Sequence, residues 1–136
     1  MLADRSHHVA TVIEPALSSG EHVVADRFYA STLAYQGYGR GVHLADLDAA
    51  TRLAIGDCQP DVTVLIDIDP RTANERRARD ADDRFESANS AFHERVRQGY
   101  LAIAARDPRR WCVVDGRGTE PEVAALIDER LSDLRW

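Results

Sequence analysis

The sequence contains no lysine, because all 17 of its basic residues are arginine. A Walker A loop uses a lysine to reach the β- and γ-phosphates of a nucleotide, so these 136 residues cannot supply that group. Cysteine is also scarce, and Cys58 and Cys112 lie far apart without any metal-binding spacing. We therefore expect two reduced, structural thiols in a cytoplasmic protein.

Long apolar runs are absent as well, since none approaches the roughly 18 residues of a membrane span. The first residues include Asp4 and Arg5 and do not form the apolar core of a secretory signal. The net charge of −6 disfavours general nucleic-acid binding, which needs clustered positive charge, but a local cluster can still bind one nucleotide. We expect a single domain over residues 1–136, with neither a membrane nor a nucleic acid as its partner.

Hydrophobic periodicity predicts helices over residues 3–18, 28–36, 44–56, 71–80, 88–106 and 120–134. Short apolar runs predict buried strands at His22–Ala25, Asp61–Asp67 and Trp111–Asp115. Because strands alternate with helices, the predicted fold class is α/β, with a parallel sheet flanked by helices.

Local signals place several boundaries within this pattern. Pro15 predicts a kink in the first helix, and Gly20 is a natural residue to end it. The glycines at positions 37, 39 and 41 predict a flexible turn. Thr119 and Glu122 have the spacing of a capping box at the start of the last helix.

Asp26 and Arg27 directly follow the first predicted strand, where ligands bind in open α/β sheets. An arginine there can hold a phosphate with two parallel hydrogen bonds, and an aspartate can hold a water bound to Mg²⁺. The same two residues could instead form a local ion pair that closes the strand.

Other charged residues also allow two interpretations. Arg5 on the first helix could be a solvated charge, and the mixed-charge run over 75–86 could be a solvated face. Asp67 and Asp69 resemble a carboxylate pair, but we expect them to cap or position the helix that follows their strand.

Three motifs resemble the thymidylate kinase family. Residues 26–37 read DRFYASTLAYQG and are similar to its DR[FY]xxSxxAYQG segment, and residues 3–8 read ADRSHH, similar to ADRxxH. Residues 75–86 read ERRARDADDRFE and are similar to the lid sequence RxR…DR[FI]E of the bacterial-type enzymes. The resemblance implies a P-loop nucleoside monophosphate kinase-like fold whose first strand or strands and P-loop are absent. It also implies phosphorylation of dTMP to dTDP, with ATP as cosubstrate and Mg²⁺.

The resemblance assigns roles to residues of the first two motifs. Arg27 would bind the dTMP phosphate, and Asp26 would act near the phosphate and Mg²⁺, through a water. Arg5 would donate to a thymine carbonyl. The remaining substrate-binding residues along the nucleoside pocket would be Ser31, Thr32, Tyr35 and Gln36. Of these, Tyr35 would lie beside the deoxyribose and disfavour a 2′-hydroxyl.

The third motif would be a lid over approximately residues 71–88. Lid arginines of the family close over ATP and stabilise charge on the transferred phosphoryl group, and Arg77, Arg79 and Arg84 match them best. Arg76 would also belong to the lid, and Asp83 and Glu86 would orient it.

The resemblance leaves the activity of these 136 residues open, because the family places its glycine-rich loop before the segment that matches here. We expect an N-terminally truncated thymidylate-kinase-like domain, and a homodimer through the helix at 3–18, whose apolar face could equally be core. One alternative is a non-catalytic relic that binds a deoxynucleotide. Another is a relative of the deoxynucleoside kinases, which share a DR strand end and an arginine-rich lid.

Overall fold

The computed structural model describes residues 2–80 and 90–132, with side chains for all of these except 77–80. The chain divides into two compact units, Met1–Gln59 and Pro60–Trp136, and each unit has an apolar cluster of its own. Among the described residues, no helix is both long and apolar enough to cross a membrane.

The regular elements described in the first unit are all helical. Its elements are α1 (Leu2–His8), a π-helical segment (Val9–Ile13), α2 (Glu14–Ser18), α3 (Tyr29–Thr32), a second π-helical segment (Leu33–Gly39) and α4 (Leu44–Ile55). Val9, Ile13 and Ile55 are buried together at its core. Because α1 and α4 contact each other, the apolar face predicted for residues 3–18 is in part a core face.

The first predicted helix is confirmed, but its middle is wound as a π-helix. The N–H of Glu14 donates to the carbonyl of Val9, five residues back. Pro15 has no N–H to donate and its ring crowds the preceding turn, and the wider winding lies directly before it. Gly20 adopts φ +82° and ends the run, as predicted. Its N–H donates to the carbonyl of Leu17 at 3.0 Å, as in a Schellman motif.

The strand predicted at His22–Ala25 is wrong. These residues are not in a strand, and Val24 is 97% exposed. A strand requires a neighbour to hydrogen-bond with. Within the part of the chain that the structure describes, no strand pairs with this segment, so an apolar run alone does not define one.

The second helical run is longer than predicted. It continues from Tyr29 through Gly39, so Gly37 and Gly39 are buried helical residues and not part of a flexible turn. Gly37 packs closely, because a Cβ atom there would clash with a methyl group of Leu44, which would have to move. Arg40 caps the helical run, and Gly41 follows with φ +77°.

The second unit is an α/β arrangement. Its elements are β1 (Thr63–Asp67), α5 (Pro70–Asp80), α6 (Ser90–Ala104), β2 (Trp111–Asp115) and α7 (Glu120–Ser132). The two strands pair in parallel, with Thr63 opposite Trp111 and Asp67 opposite Asp115. Parallel strands joined through helices confirm the predicted fold class, and the two strands bring their carboxyl ends to one edge.

Candidate functional site

Three side chains at the start of the second helical run in the first unit form a group that we call the stripe. Phe28 is the residue before the first turn, Thr32 ends the α-helical part, and Tyr35 lies in the π-helical part. Thr32 is only 1% exposed, and the two aromatic residues are half-buried. The stripe therefore comprises two half-buried rings and a buried hydroxyl group.

Arg5 reaches this stripe from α1. Its Nη1 donates to the Oγ1 of Thr32 at 2.6 Å, and its guanidinium carbon lies 5.5 Å from the centre of the Phe28 ring. A short, charge-assisted and partly buried hydrogen bond fixes an arginine more firmly than a solvated charge would be fixed. Arg5 and Thr32, which were predicted separately as substrate-binding residues and lie 27 residues apart in sequence, are therefore in direct contact.

Arg27 contacts the other end of the stripe. Its guanidinium carbon lies 5.4 Å from the centre of the Tyr35 ring, at a distance suited to a cation–π interaction. Arg27 is exposed and has φ +61°, the left-handed region that side chains other than glycine rarely adopt. Such a backbone costs about 1–3 kcal/mol and is found most often at functional sites.

The other predicted substrate-binding residues lie beside these contacts. Asp26 is exposed at the bend before Arg27, and Ser31 is half-buried with its N–H donating to the carbonyl of Phe28 at 3.2 Å. The Oε1 of Gln36 accepts a hydrogen bond from Arg40 at 3.1 Å. The predicted dTMP-binding residues thus lie within one unit. They belong to the second helical run, to the bend directly before it, and to α1, which supplies Arg5.

In the second unit, ion pairs occupy the carboxyl ends of the strands. Arg97 on α6 donates two hydrogen bonds to the carboxylate of Asp67, from Nε to Oδ1 at 2.7 Å and from Nη2 to Oδ2 at 2.8 Å. The hydrogen bonds to Asp67 raise the pKa of Arg97 above its ordinary value. Asp67 was expected to position the next helix, but the structure shows it holding α6 instead.

Asp69 caps α5 as predicted. Its carboxylate accepts hydrogen bonds from the N–H of Thr72 at 2.9 Å and from the hydroxyl of Thr72 at 2.7 Å, and the pair lowers the pKa of Asp69. At the start of α7, the carboxylate of Glu122 accepts from the N–H of Thr119 at 2.7 Å. That contact confirms the predicted backbone partner of the capping box.

The turn after β2 is held by two arginines. Arg117 donates to the carboxylate of Asp115, and this hydrogen bond lowers the pKa of Asp115 to about 2. Arg76 on α5 donates to the carbonyl oxygens of Gly116 at 2.8 Å and Gly118 at 2.9 Å, and also to that of Arg117. Arg76, the first of the predicted lid arginines, thereby ties α5 to this turn.

The described residues contain no group of three His, Cys, Asp or Glu side chains that could hold a metal ion. Mg²⁺ in phosphoryl-transfer sites is commonly held by one or two carboxylates together with substrate phosphates and water. The exposed carboxylate of Asp26, next to the exposed Arg27, fits a Mg²⁺ ion that enters with a nucleotide. It does not fit a metal site built from this chain alone.

A family model described as thymidylate kinase matches residues 1–127. The chain belongs to the thymidylate kinase family. It is 47% identical over 135 residues to a thymidylate kinase of Burkholderia vietnamiensis, with 98% of this chain and 66% of the relative covered. It is 46% identical over 143 residues to a thymidylate kinase of Desulfosudis oleivorans, with 97% and 67% covered. A thymidylate kinase of Dehalococcoides mccartyi is 42% identical over 132 residues, with 97% and 64% covered. The chain thus spans about two thirds of the length of these curated thymidylate kinases.

The predicted lid of this thymidylate kinase family member is described only in part. Arg77 and Arg79 belong to α5, but the structure describes only their backbone. The predictions for Asp83, Arg84 and Glu86 lie outside the described residues. Of the six side chains to which the lid motif assigned a role, Arg76 is the one whose contacts are described, and those contacts lie within the second unit.

Three residues of this thymidylate kinase family member contribute to these sites without having been predicted to do so. Phe28 lies within the motif over residues 26–37. Its aromatic side chain directly after Arg27 was the feature of the sequence that could have indicated its contact with Arg5. Arg97 and Arg117 pair with strand-end aspartates. A carboxylate at the end of a buried strand indicates that a cation will be needed nearby, but the sequence does not say which arginine supplies it.

Proposed function

We propose that this chain binds dTMP through the first unit, and that it is the dTMP-binding and lid portion of an enzyme that phosphorylates dTMP to dTDP with ATP. Family membership supports the reaction class, phosphoryl transfer by a kinase. The contact that carries the proposal for this chain is the hydrogen bond from Arg5 to Thr32.

That contact supports the recognition of a pyrimidine base by Arg5. A guanidinium has five N–H donors in one plane, and a thymine base presents carbonyl acceptors at its edge. The hydrogen bond to Thr32 and the ring of Phe28 together hold the guanidinium of Arg5 in one orientation. An arginine held in this way can donate to a thymine carbonyl in a fixed geometry, which a freely rotating side chain cannot do.

The phosphate of dTMP would bind Arg27. This side chain is exposed, its planar group can form two parallel hydrogen bonds to phosphate, and the neighbouring Asp26 can hold a water on Mg²⁺. Ser31, Tyr35 and Gln36 would complete the nucleoside pocket. We propose that the sugar binds beside Tyr35, where an aromatic ring leaves little room for a 2′-hydroxyl.

The lid would act on ATP in the complete enzyme. We propose that Arg77, Arg79 and Arg84 stabilise charge on the transferred phosphoryl group, while Asp83 and Glu86 orient the lid. Arg76 would hold the base of the lid. Bound Mg²⁺ would neutralise charge on the phosphates, and the residues of this chain would position the acceptor phosphate for in-line attack.

Calorimetric titration of the 136-residue chain tests the proposed specificity. We expect saturable binding of one dTMP per chain, with thymidine and dGMP bound more weakly. Thymidine lacks the phosphate for Arg27, and a purine does not fit donors arranged for a pyrimidine. Tighter binding of thymidine than of dTMP would favour the deoxynucleoside kinase alternative, and failure to bind either would refute the proposed site.

The absence of lysine favours a second candidate for these 136 residues, a deoxynucleotide-binding protein without turnover. In P-loop kinases, the Walker A lysine and its loop hold the β- and γ-phosphates of ATP. We therefore expect the purified chain to bind dTMP but to form no dTDP from Mg·ATP and dTMP in a coupled assay. Formation of dTDP would show that this chain holds ATP by another route.

We also propose a cytoplasmic homodimer, with α1, α2 and the π-helical segment between them at the interface. Val9 and Ile13 of this helical run are buried within the unit, while Val12 is 51% and Leu17 is 48% exposed. Sedimentation equilibrium tests this arrangement. Substitution of Val12 and Leu17 by serine should weaken association, whereas serine at the exposed Ala10 should not.

A further inference from the structure

The guanidinium of Arg27 lies over an aromatic ring of the helical run that follows it. Its carbon lies 5.4 Å from the ring centre of Tyr35, eight residues further along the chain. Arg27 is exposed, and its backbone is held at φ +61°. Both the start and the end of the side chain are thus constrained, one by the backbone and the other by the ring.

A cation–π contact suits an arginine that must bind a phosphate. A guanidinium has five N–H donors in its plane, so a contact with one ring leaves donors that can reach a second partner. A phosphate can therefore bind Arg27 without displacing the ring. Because an exposed arginine otherwise samples many rotamers, a ring contact reduces the entropy lost when the phosphate binds.

We propose that Tyr35 is a positioning residue for the phosphate-binding Arg27, and that its ring, rather than its hydroxyl group, performs this role. The inference rests on the proposed binding of dTMP. It differs from the sugar contact implied for Tyr35, because a sugar contact would affect thymidine and dTMP alike. Positioning of Arg27 affects only the ligand that carries a phosphate.

The ratio of the dissociation constants for thymidine and dTMP measures the phosphate contribution. It is determined on the same protein sample, so the fraction of folded protein cancels. Tyr35→Leu removes the ring, and we expect this ratio to fall about two- to fivefold, the range that corresponds to an exposed cation–π interaction. Tyr35→Phe keeps the ring and should keep the ratio, whatever it does to the binding of the sugar.

A second pair of variants tests whether the effect passes through Arg27. Arg27→Gln should lower the ratio strongly, because it removes the charge that binds phosphate. Adding Tyr35→Leu to Arg27→Gln should then cause no further change in the ratio. If Tyr35→Leu weakens thymidine and dTMP equally, or if Tyr35→Phe lowers the ratio as much as Tyr35→Leu does, the inference is overturned. If the unmodified chain binds neither ligand, the proposed function itself fails.

Discussion

The pairing of Arg97 with Asp67 should be a main source of stability in the second unit. The guanidinium forms two hydrogen bonds to the carboxylate, at 2.7 and 2.8 Å, and joins α6 to the end of β1. The side chains are 29% and 22% exposed, so water screens the pair only in part. We therefore predict that Arg97→Met lowers the free energy of unfolding.

The expected loss is about 2–4 kcal/mol, because each of the two hydrogen bonds between charged groups contributes about 1.5–3 kcal/mol and their sum is reduced by about a quarter for the part of the pair that faces solvent. Removing one partner also leaves the other charge partly desolvated, which adds to the loss. Urea unfolding followed by circular dichroism measures the change.

A double-mutant cycle with Asp67→Asn separates the pair from its surroundings. We expect the two substitutions together to cost about 1 kcal/mol less than the sum of the single ones. The ion pair between Arg71 and Glu75 on α5 is the matched control, because those side chains are 89% and 52% exposed and should show almost no coupling. Equal coupling energies for the two pairs would refute the reasoning from burial and geometry.

Three other changes have direct structural consequences. Thr32→Val removes the hydroxyl that accepts from Arg5 and should weaken dTMP binding about tenfold, as measured by calorimetry, whereas Thr32→Ser should keep most of the affinity. Gly116→Ala should lower the free energy of unfolding by about 1–3 kcal/mol in urea, because its Cβ atom would lie 2.7 Å from a methyl group of β1 and 3.0 Å from a backbone oxygen. The pKa of Asp115 falls from 3.8 to about 2 through Arg117, so its stabilising effect is present above pH 4 and is lost as the pH falls from about 4 to 2. Acid unfolding of Asp115→Asn should therefore depend less on pH in that window.

Two outcomes would contradict these expectations. Equal dTMP affinities for Thr32→Val and Thr32→Ser would show that the hydroxyl does not orient Arg5. In acid, equal pH dependence of unfolding for Asp115→Asn and the unmodified chain would show that Arg117 does not lower the pKa of Asp115 in the folded state.

Sequence patterns were sufficient where the structure depends on neighbours along the chain. Gly20, for example, ends the first helical run at a positive φ. Asp69 caps α5 from three residues away, and Glu122 reaches the N–H of Thr119 over the same spacing. Each of these features follows from a residue type and a short spacing, which can be read without knowing the fold.

Features that depend on distant residues were not predictable in the same way. Gly37 was predicted to lie in a turn, but it lies inside a helical run and close to Leu44 of α4. Arg76 donates to carbonyl oxygens 40 to 42 residues away, and Arg97 pairs with Asp67 across 30 residues. Composition cannot specify such partners. In the first unit, the motifs predicted Arg5 and Thr32 as site residues, and the structure shows that they are hydrogen-bonded to each other.

Backbone amide NMR spectra recorded during a titration with dTMP test the central claim most directly. We expect saturable changes in amide chemical shift at Arg5 and over residues 27–36, which together form the proposed site in the first unit. Thymidine should shift fewer of these signals, with the smallest changes at Arg27. Shifts confined to residues 60–136, or no saturable shifts at all, would contradict the assignment of the dTMP site to the first unit.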